Sequence, residues 1–361
     1  MRTLGVDLGN GKVKFASLTE TEGKLSPRWA SHALPYTADR QSDFEIGLMT
    51  ALAAFSAIDP GPYDRIIIST SHFYSYPSFQ EALQHTADLV AALWGPTSFL
   101  ISVDGKLHVP ARARLFKGRE VLRFAATKFW GSAYLASRIV PHGLCVDVGT
   151  TSTDANAIVD GMIEPSSQID PDGFNLQRLE TQRLMWYGMT STPLDYIAKQ
   201  ASTGESAYFL YPRQARTACL SRILDLVPEA IAVSHAYFGH YPSREEAFTE
   251  LAQAFGLDTA LLPESELIAL ANHLHRQLIA RVAEGLEKVM AHARLGEPQY
   301  LEAVVTGIGK EALAIPALLA CGVRRSRIVD LESVLGPELS AASSAYGLAL
   351  RGLDDLRGKN A

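Results

Sequence analysis

The chain has 361 residues, 47% of them hydrophobic and 20% charged, with a net charge of −6. That is enough apolar material for a substantial core and suggests two or three domains. The acidic balance argues against nucleic acid as a partner, and no run approaches the ~20 apolar residues of a membrane span.

In chain order, residues 2–8 and 12–18 read as strands joined at "GNG", a strong hairpin signal. The start "MRTLGVDLGNG" enters that strand directly and lacks the features of a secretory signal, so a cytoplasmic protein is expected. A third strand is expected near 29–34, a helix over 43–58 closed by "DPGP", and a buried strand over 64–70. A helix over 78–94 leads to "SFLISVDGKLHV", a second small hairpin turning at "DG", and a helix over 119–140 follows. The opening pattern then returns: strand 143–148, turn, strand 153–160, and another "DG" turn into "MIEP". Residues 172–295 read as mainly helical, ending in a long amphipathic helix over 264–293. The chain closes with strand 300–307, helix 309–321, strand 326–331 and helix 339–353, with a frayed end.

The duplication carries the chemistry. In "VDLGNGKVK", Asp7 ends a buried strand, where a carboxylate needs a partner or a metal to offset its desolvation. Gly9, Asn10 and Gly11 let backbone N–H groups approach an anion, and Lys12 adds positive charge. In "VDVGTTSTD", Asp147 again ends a strand, Gly149, Thr150, Thr151, Ser152 and Thr153 offer hydroxyl and backbone donors, and Asp154 orients the turn or a water. Either hairpin alone reads as an ordinary capped turn. Two with the same order imply a divided polyphosphate site, with Asp7 and Asp147 holding Mg²⁺. A third element, "VVTGIGKEAL", is strand, Gly turn and helix, so Gly307, Gly309 and Lys310 become the nucleotide or second-substrate residues.

Taken together, "VDLGNGKVK", "VDVGTTSTD", "VVTGIGKE" and the small-residue helix "SAASSAYGLAL" resemble the actin–sugar kinase–Hsp70 superfamily over nearly the whole chain. The resemblance implies two actin-like (ribonuclease H-like) α/β lobes with a ligand cleft between them. The first lobe would be 1–140 and the second 141–338, with a helical insertion at about 172–295; 339–361 would be a C-terminal helix packing back. "VDVGTTSTDANAIVDG" with "DPDGFNLQRLETQRLMWYGMTSTPL" resembles the hydantoinase/oxoprolinase-like branch, within it the group linked to tetrahydromethanopterin-dependent C1 transfer. That resemblance implies a methanofuran-type transferase. It would join an aminomethylfuran methyl diphosphate to the phenol of a glutamyltyramine and release diphosphate, with Mg²⁺ and without consuming ATP.

Arg178, Leu179, Gly188, Thr192 and Pro193 match that group's pattern, whereas Gln182, Arg183, Trp186, Tyr187 and Ser191 depart from it, as does "TSHFYS" at 70–75. Arg178, Trp186 and Tyr187 are the candidate substrate residues. The alternatives are an ATP-dependent small-molecule kinase, for which Lys12 and the short first lobe resemble type III pantothenate kinases, and a non-catalytic paralogue serving as a partner subunit. All take a phosphorylated small molecule or a pathway protein as partner, and none takes nucleic acid or membrane. Self-association through helix 264–293 stays open.

Four further features read more simply as structure. His235 and His240, like His273 and His275, lack the i, i+4 spacing of a helical metal site. The basic run 110–119 reads as a solvated loop before it reads as a substrate entrance. Trp186, Tyr187, Phe209 and Tyr211 suit core packing as well as ring stacking, and the scattered Cys145, Cys219 and Cys321 read as reduced, packed thiols.

Overall fold

The computed structural model describes residues 1–9, 11–34, 40–73, 76–164, 174–203, 206–212, 215–229 and 241–358. The first sheet holds β1 (Arg2–Leu8), β2 (Lys12–Thr21), β3 (Lys24–Ala33), β4 (Arg65–Thr70), β5 (Ser98–Ile101) and β6 (Leu107–His108). Their order is β3-β2-β1-β4-β5-β6. β1, β2 and β3 run antiparallel, while β4 and β5 add in parallel. The second half supplies β7 (Gly143–Val148), β8 (Thr153–Val159), β9 (Met162–Glu164), β10 (Leu184–Met185), β11 (Gln200–Thr203), β12 (Ser206–Phe209), β13 (Glu302–Thr306) and β14 (Ile328–Asp330). Here the order is β10-β8-β7-β13-β14, with β9 also on β8. Each sheet thus pairs its first two strands and adds others on the far side of the first: β4 and β5 in parallel and then the antiparallel β6 in one, and β13 with its parallel partner β14 in the other, the duplicated α/β layout expected.

Two compact units emerge: Met1–Cys145, Asn156–Glu180 and Leu331–Ala361 form one, and Val146–Ala155 with Thr181–Asp330 form the other. In the first unit, strand alternation sorts side chains between two layers. Leu4, Val6 and Leu8 join Val13 and Phe15 in a core shared with Phe44, Leu48 and Phe55 of the helix Arg40–Ile58 and Leu83 and Val90 of the helix Phe79–Trp94. Full burial of each such side chain is worth about 1.5–3 kcal/mol. The intervening Thr3, Gly5 and Asp7 all meet the helix Ser343–Leu356. Thr3 Oγ1 donates to the Ala349 carbonyl at 2.8 Å. Any Cβ on Gly5 would stand 2.6 Å from the Ala349 nitrogen, so this residue must be glycine for the helix to lie on β1.

In the second unit, the helix Glu264–Ala293 buries Leu267, Leu270, Leu274, Leu278, Val282, Leu286 and Val289 along one stripe, as its sequence period requires. Glu264 and Glu266 in its first turn suit the positive end of the helix dipole. Besides its helices, this region carries the ribbon β11–β12, a departure from the mainly helical expectation. Among the described residues no helix is long and apolar enough to cross a membrane. All three cysteines are free and buried.

Three helices differ from their expected extents. The segment expected as one helix over 119–140 is a 3-10 turn, Gly118–Phe124, and a separate helix, Phe129–Ser137. Between them Ala126 takes φ +57°, and Thr127 continues the edge of β4 instead: its N–H donates to the Thr70 carbonyl at 2.8 Å, and its hydroxyl accepts from the Thr70 N–H at 2.9 Å. Tertiary hydrogen bonding overrides helical propensity there. The expected helix 339–353 begins only at Ser343 and runs to Leu356, after a short helix Pro337–Ser340. The expected helix 309–321 opens with a π-helical turn, Lys310–Ala314, before Ile315–Ala320.

Candidate functional site

The first hairpin closes where the Gly9 N–H donates to the Lys12 carbonyl at 3.0 Å, and the Leu34 N–H caps the Gly11 carbonyl at 3.0 Å. Asn10 lies outside the described residues, as do His235 and His240. Asp7, 1% exposed, is gripped on both oxygens: Ser69 Oγ donates to Oδ1 at 3.3 Å and Ser344 Oγ to Oδ2 at 2.5 Å. Ser69 reaches it because β4 pairs in parallel with β1, placing Ser69 beside Asp7. Lys14 lies directly across from Asp7 in the antiparallel register, and Lys12, two residues away, shares that face. Burial holds the Lys12 ammonium down to about 8, with the neighbouring Lys14 charge adding to the effect. Asp7, Gly9, Gly11 and Lys12 therefore gather at one end of the first sheet. Ser69 and Ser344 join them unforeseen, because neither has any local signal.

The second hairpin repeats the turn bond, from the Gly149 N–H to the Ser152 carbonyl at 2.9 Å, but its surroundings are made of backbone. The Met189 N–H donates to the Gly149 carbonyl at 3.1 Å, and the Thr190 and Ser191 N–H groups both reach the Thr150 carbonyl at 3.0 Å. Gly188 packs so closely that a Cβ would lie 2.6 Å from the Thr151 carbonyl carbon. From the other side the Gly309 N–H donates to the Val148 carbonyl at 3.1 Å. Gly307, at φ +89°, leaves no room for a side chain beside Asp147 Oδ1, 2.6 Å from where its Cβ would stand. Asp147 and Asp154 are 7% and 8% exposed. Thr150 and Thr151 are half-buried with hydroxyls 3.3 Å apart, and Thr153 Oγ1 donates to the Tyr187 carbonyl at 2.7 Å.

The segment 186–192 is itself anchored. Thr192 Oγ1 accepts from the Gly188 N–H at 2.8 Å and donates to the Trp186 carbonyl at 3.1 Å. Ser221 Oγ donates to the Met189 carbonyl at 2.6 Å, and the Arg216 guanidinium to that of Ser191 at 2.7 Å. Trp186 and Tyr187 thus stand beside the second hairpin, and Tyr187 packs against Tyr196 with ring centroids 5.4 Å apart. Phe209 and Tyr211 are exposed on and just after β12. Arg178 is 1% exposed in the first unit, where its guanidinium lies over Phe129 at 4.1 Å and donates to the Ala126 carbonyl. Lys310 Nζ donates to both oxygens of Asp330, at 2.9 and 2.7 Å. His275 Nε2 donates to the Ala312 carbonyl, 3.0 Å away.

For a divalent cation, the described residues contain no cluster of three or more His, Cys, Asp or Glu side chains. Mg²⁺ asks for less, one or two carboxylates completed by water and substrate phosphates. Asp147, beside the hydroxyl turn of the second hairpin, and Asp7, at the first, are each a buried carboxylate of the kind such a site uses.

No family model matches the chain. A curated relative, (4-{4-[2-(gamma-L-glutamylamino)ethyl]phenoxymethyl}furan-2-yl)methanamine synthase of Methanococcus vannielii, is 23% identical over 231 residues, spanning 63% of this chain and 97% of that protein. Among solved structures, nucleotide-free acetone carboxylase aligns with a TM-score of 0.50 at 10% identity, covering 97% of this chain and 70% of that one. A ROK family glucokinase from Streptomyces griseus aligns at 13% identity with a TM-score of 0.41, covering 98% and 100%. With the repeated sheet order, the likeness to acetone carboxylase shows the fold class: a mixed α/β protein of two main sheets with helices.

Proposed function

We propose that the chain is a transferase of methanofuran-type cofactor biosynthesis. It condenses an aminomethylfuran methyl diphosphate with the phenol of a glutamyltyramine. The observation that carries this reading is the likeness to the M. vannielii synthase, whose length the match spans almost completely. The site chemistry supports it. In the reaction the bond between the furylic methylene carbon and the diphosphate oxygen breaks, and the phenol oxygen bonds to that carbon. The phenolic proton passes to solvent and diphosphate departs. Negative charge grows on the leaving oxygen, and fixed donors aimed at that charge lower the barrier. The Thr150 and Thr151 hydroxyls and the backbone N–H groups of the turn 150–152 would supply such donors. Mg²⁺ on Asp147 would add charge neutralisation of the diphosphate when bound.

The hydantoinase/oxoprolinase-like branch and a cytoplasmic location belong to the same reading. Trp186 and Tyr187, beside the second hairpin, are its candidate aromatic contacts. The test is an assay of the purified protein with furan diphosphate, glutamyltyramine and Mg²⁺, reading ether formation and diphosphate release. Coupled formation of both, lost in Asp147→Asn, is the expected result. ATP hydrolysis or phosphorylation of an alcohol without ether formation would replace this reading with a kinase. Inertness in both assays, with recovery on adding a pathway protein, would replace it with a partner subunit.

A further inference from the structure

Pro316 sits about two turns into the segment expected as the single helix 309–321. A proline inside a helix lacks the N–H that would bond four residues back, and its ring collides with that same carbonyl, here Ala312. The chain resolves the collision with a π-helical turn. The Leu313 and Ala314 N–H groups share the Gly309 carbonyl at 2.8 and 3.1 Å, and the Ile315 N–H reaches back five residues to Lys310. The wider turn leaves the Ala312 carbonyl turned toward His275, in the middle of the helix Glu264–Ala293, whose Nε2 stands 3.0 Å away. A carbonyl can only accept, so this nitrogen carries the proton and donates. Burial holds the ring below its ordinary imidazole value, so it is neutral with that one N–H.

The turn begins at Lys310, directly after the Gly309 N–H that bonds Val148 at the base of the second hairpin. Lys310 in turn bridges to both oxygens of Asp330. Collapse of the π turn to α-helical closure would remove one residue from it, rotating what precedes it by roughly 100°. Gly309 and Lys310 could not both keep those bonds.

We propose that His275 is a positioning residue: its ring N–H takes the place of the amide that Pro316 lacks, holds the π turn open, and so fixes the loop 307–310 against the second hairpin. The consequence for ligand binding rests on the reading of that hairpin as a phosphate cradle.

The experiment uses the full chain as wild type, His275→Ala, His275→Gln and Pro316→Ala, and the double variant Pro316→Ala/His275→Ala. Lys310 accessibility is read by amine acylation and mass spectrometry, with exposed Lys288 as internal control. In His275→Ala, Lys310 labelling should rise severalfold while Lys288 stays constant. His275→Gln, which keeps a side-chain N–H donor, should remain near wild type. In the Pro316→Ala background, where residue 316 regains its own N–H, removing His275 should add nothing. Unchanged Lys310 labelling in His275→Ala, or equal rises at Lys288, would overturn the assignment. Calorimetric titration of Mg²⁺-diphosphate runs in parallel. Severalfold weaker binding by His275→Ala alone links the loop to the cradle. Absence of binding by wild type would remove the phosphate reading, while the labelling result still decides the role of His275.

Discussion

Asp7 and Asp147 end matching strands and precede matching turns, yet the two hairpins are restrained by different means. The first is held through side chains: two serine hydroxyls from β4 and the helix Ser343–Leu356 grip the Asp7 carboxylate, and lysines occupy the adjoining positions. The second is held through backbone: N–H groups of Met189, Thr190, Ser191 and Gly309 bond its carbonyls, and Gly188 and Gly307 pack directly against its main chain. A side-chain grip fixes one charged group and leaves the turn open. A backbone grip fixes the turn itself, with the Thr150 and Thr151 hydroxyls half-buried beside each other. The repeated motif therefore encodes a shape, and each copy has acquired its own way of holding it.

Glycine substitutions break this comparison most sharply. Gly188→Ala places a Cβ against the Thr150–Thr151 backbone, so a loss of about 4 kcal/mol or more is expected. Gly11→Ala meets nothing within 4 Å and should change stability by no more than about 0.5 kcal/mol. Chemical denaturation of both variants checks the contrast, and equal losses would dissolve it. Ser344→Ala comes next. It removes a buried hydroxyl from a carboxylate and should cost about 1.5–3 kcal/mol, whereas Ser344→Thr, which keeps the hydroxyl, should cost less than Ser344→Ala.

Binding separates the two further. Thr151→Val keeps the shape of the turn but deletes a donor, so Mg²⁺-diphosphate affinity should fall about tenfold with an unchanged denaturation midpoint. Lys12 offers the gentlest test. Its ammonium is held down to about 8 by burial. An anion at the first hairpin favours the charged form and raises that value, so binding near pH 8–9 should take up a fraction of a proton. Calorimetry in buffers of different ionisation enthalpy reads the uptake, and Lys12→Gln should abolish it. No uptake in the wild type would assign the anion to the second hairpin alone.

Local features were the legible ones. The "GNG" turn, the Asp–x–Gly order and the 3.6-residue stripe of the helix Glu264–Ala293 are all written within a few residues of where they act, and the structure places those elements where they were read. Ser69, Ser344 and the segment 188–191 were not anticipated as supports of the hairpins. Their role depends on strand register and helix packing between residues far apart in the chain. The break at Ala126 is similar, set by hydrogen bonds to Thr70. The π turn differs, since Pro316 marks the spot where an ordinary helix must fail. The signal was present in the sequence, but its resolution by His275 was not.

The three cysteines add a built-in reporter. Cys145 is buried in the first unit, while Cys219 and Cys321 are buried in the second. Burial pushes the Cys321 thiol up to about 12, and burial with the adjoining Glu250 carboxylate pushes Cys219 well above its ordinary value. Thiolate is the reactive form, so Cys219 and Cys321 are shielded both by enclosure and by protonation, and Cys145 by enclosure. A thiol reagent added to the native protein would then modify each site only as its surroundings open. Peptide mapping of the modified chain would time the loosening of β7 separately from that of the helices bearing Cys219 and following the π turn, with no engineered probe.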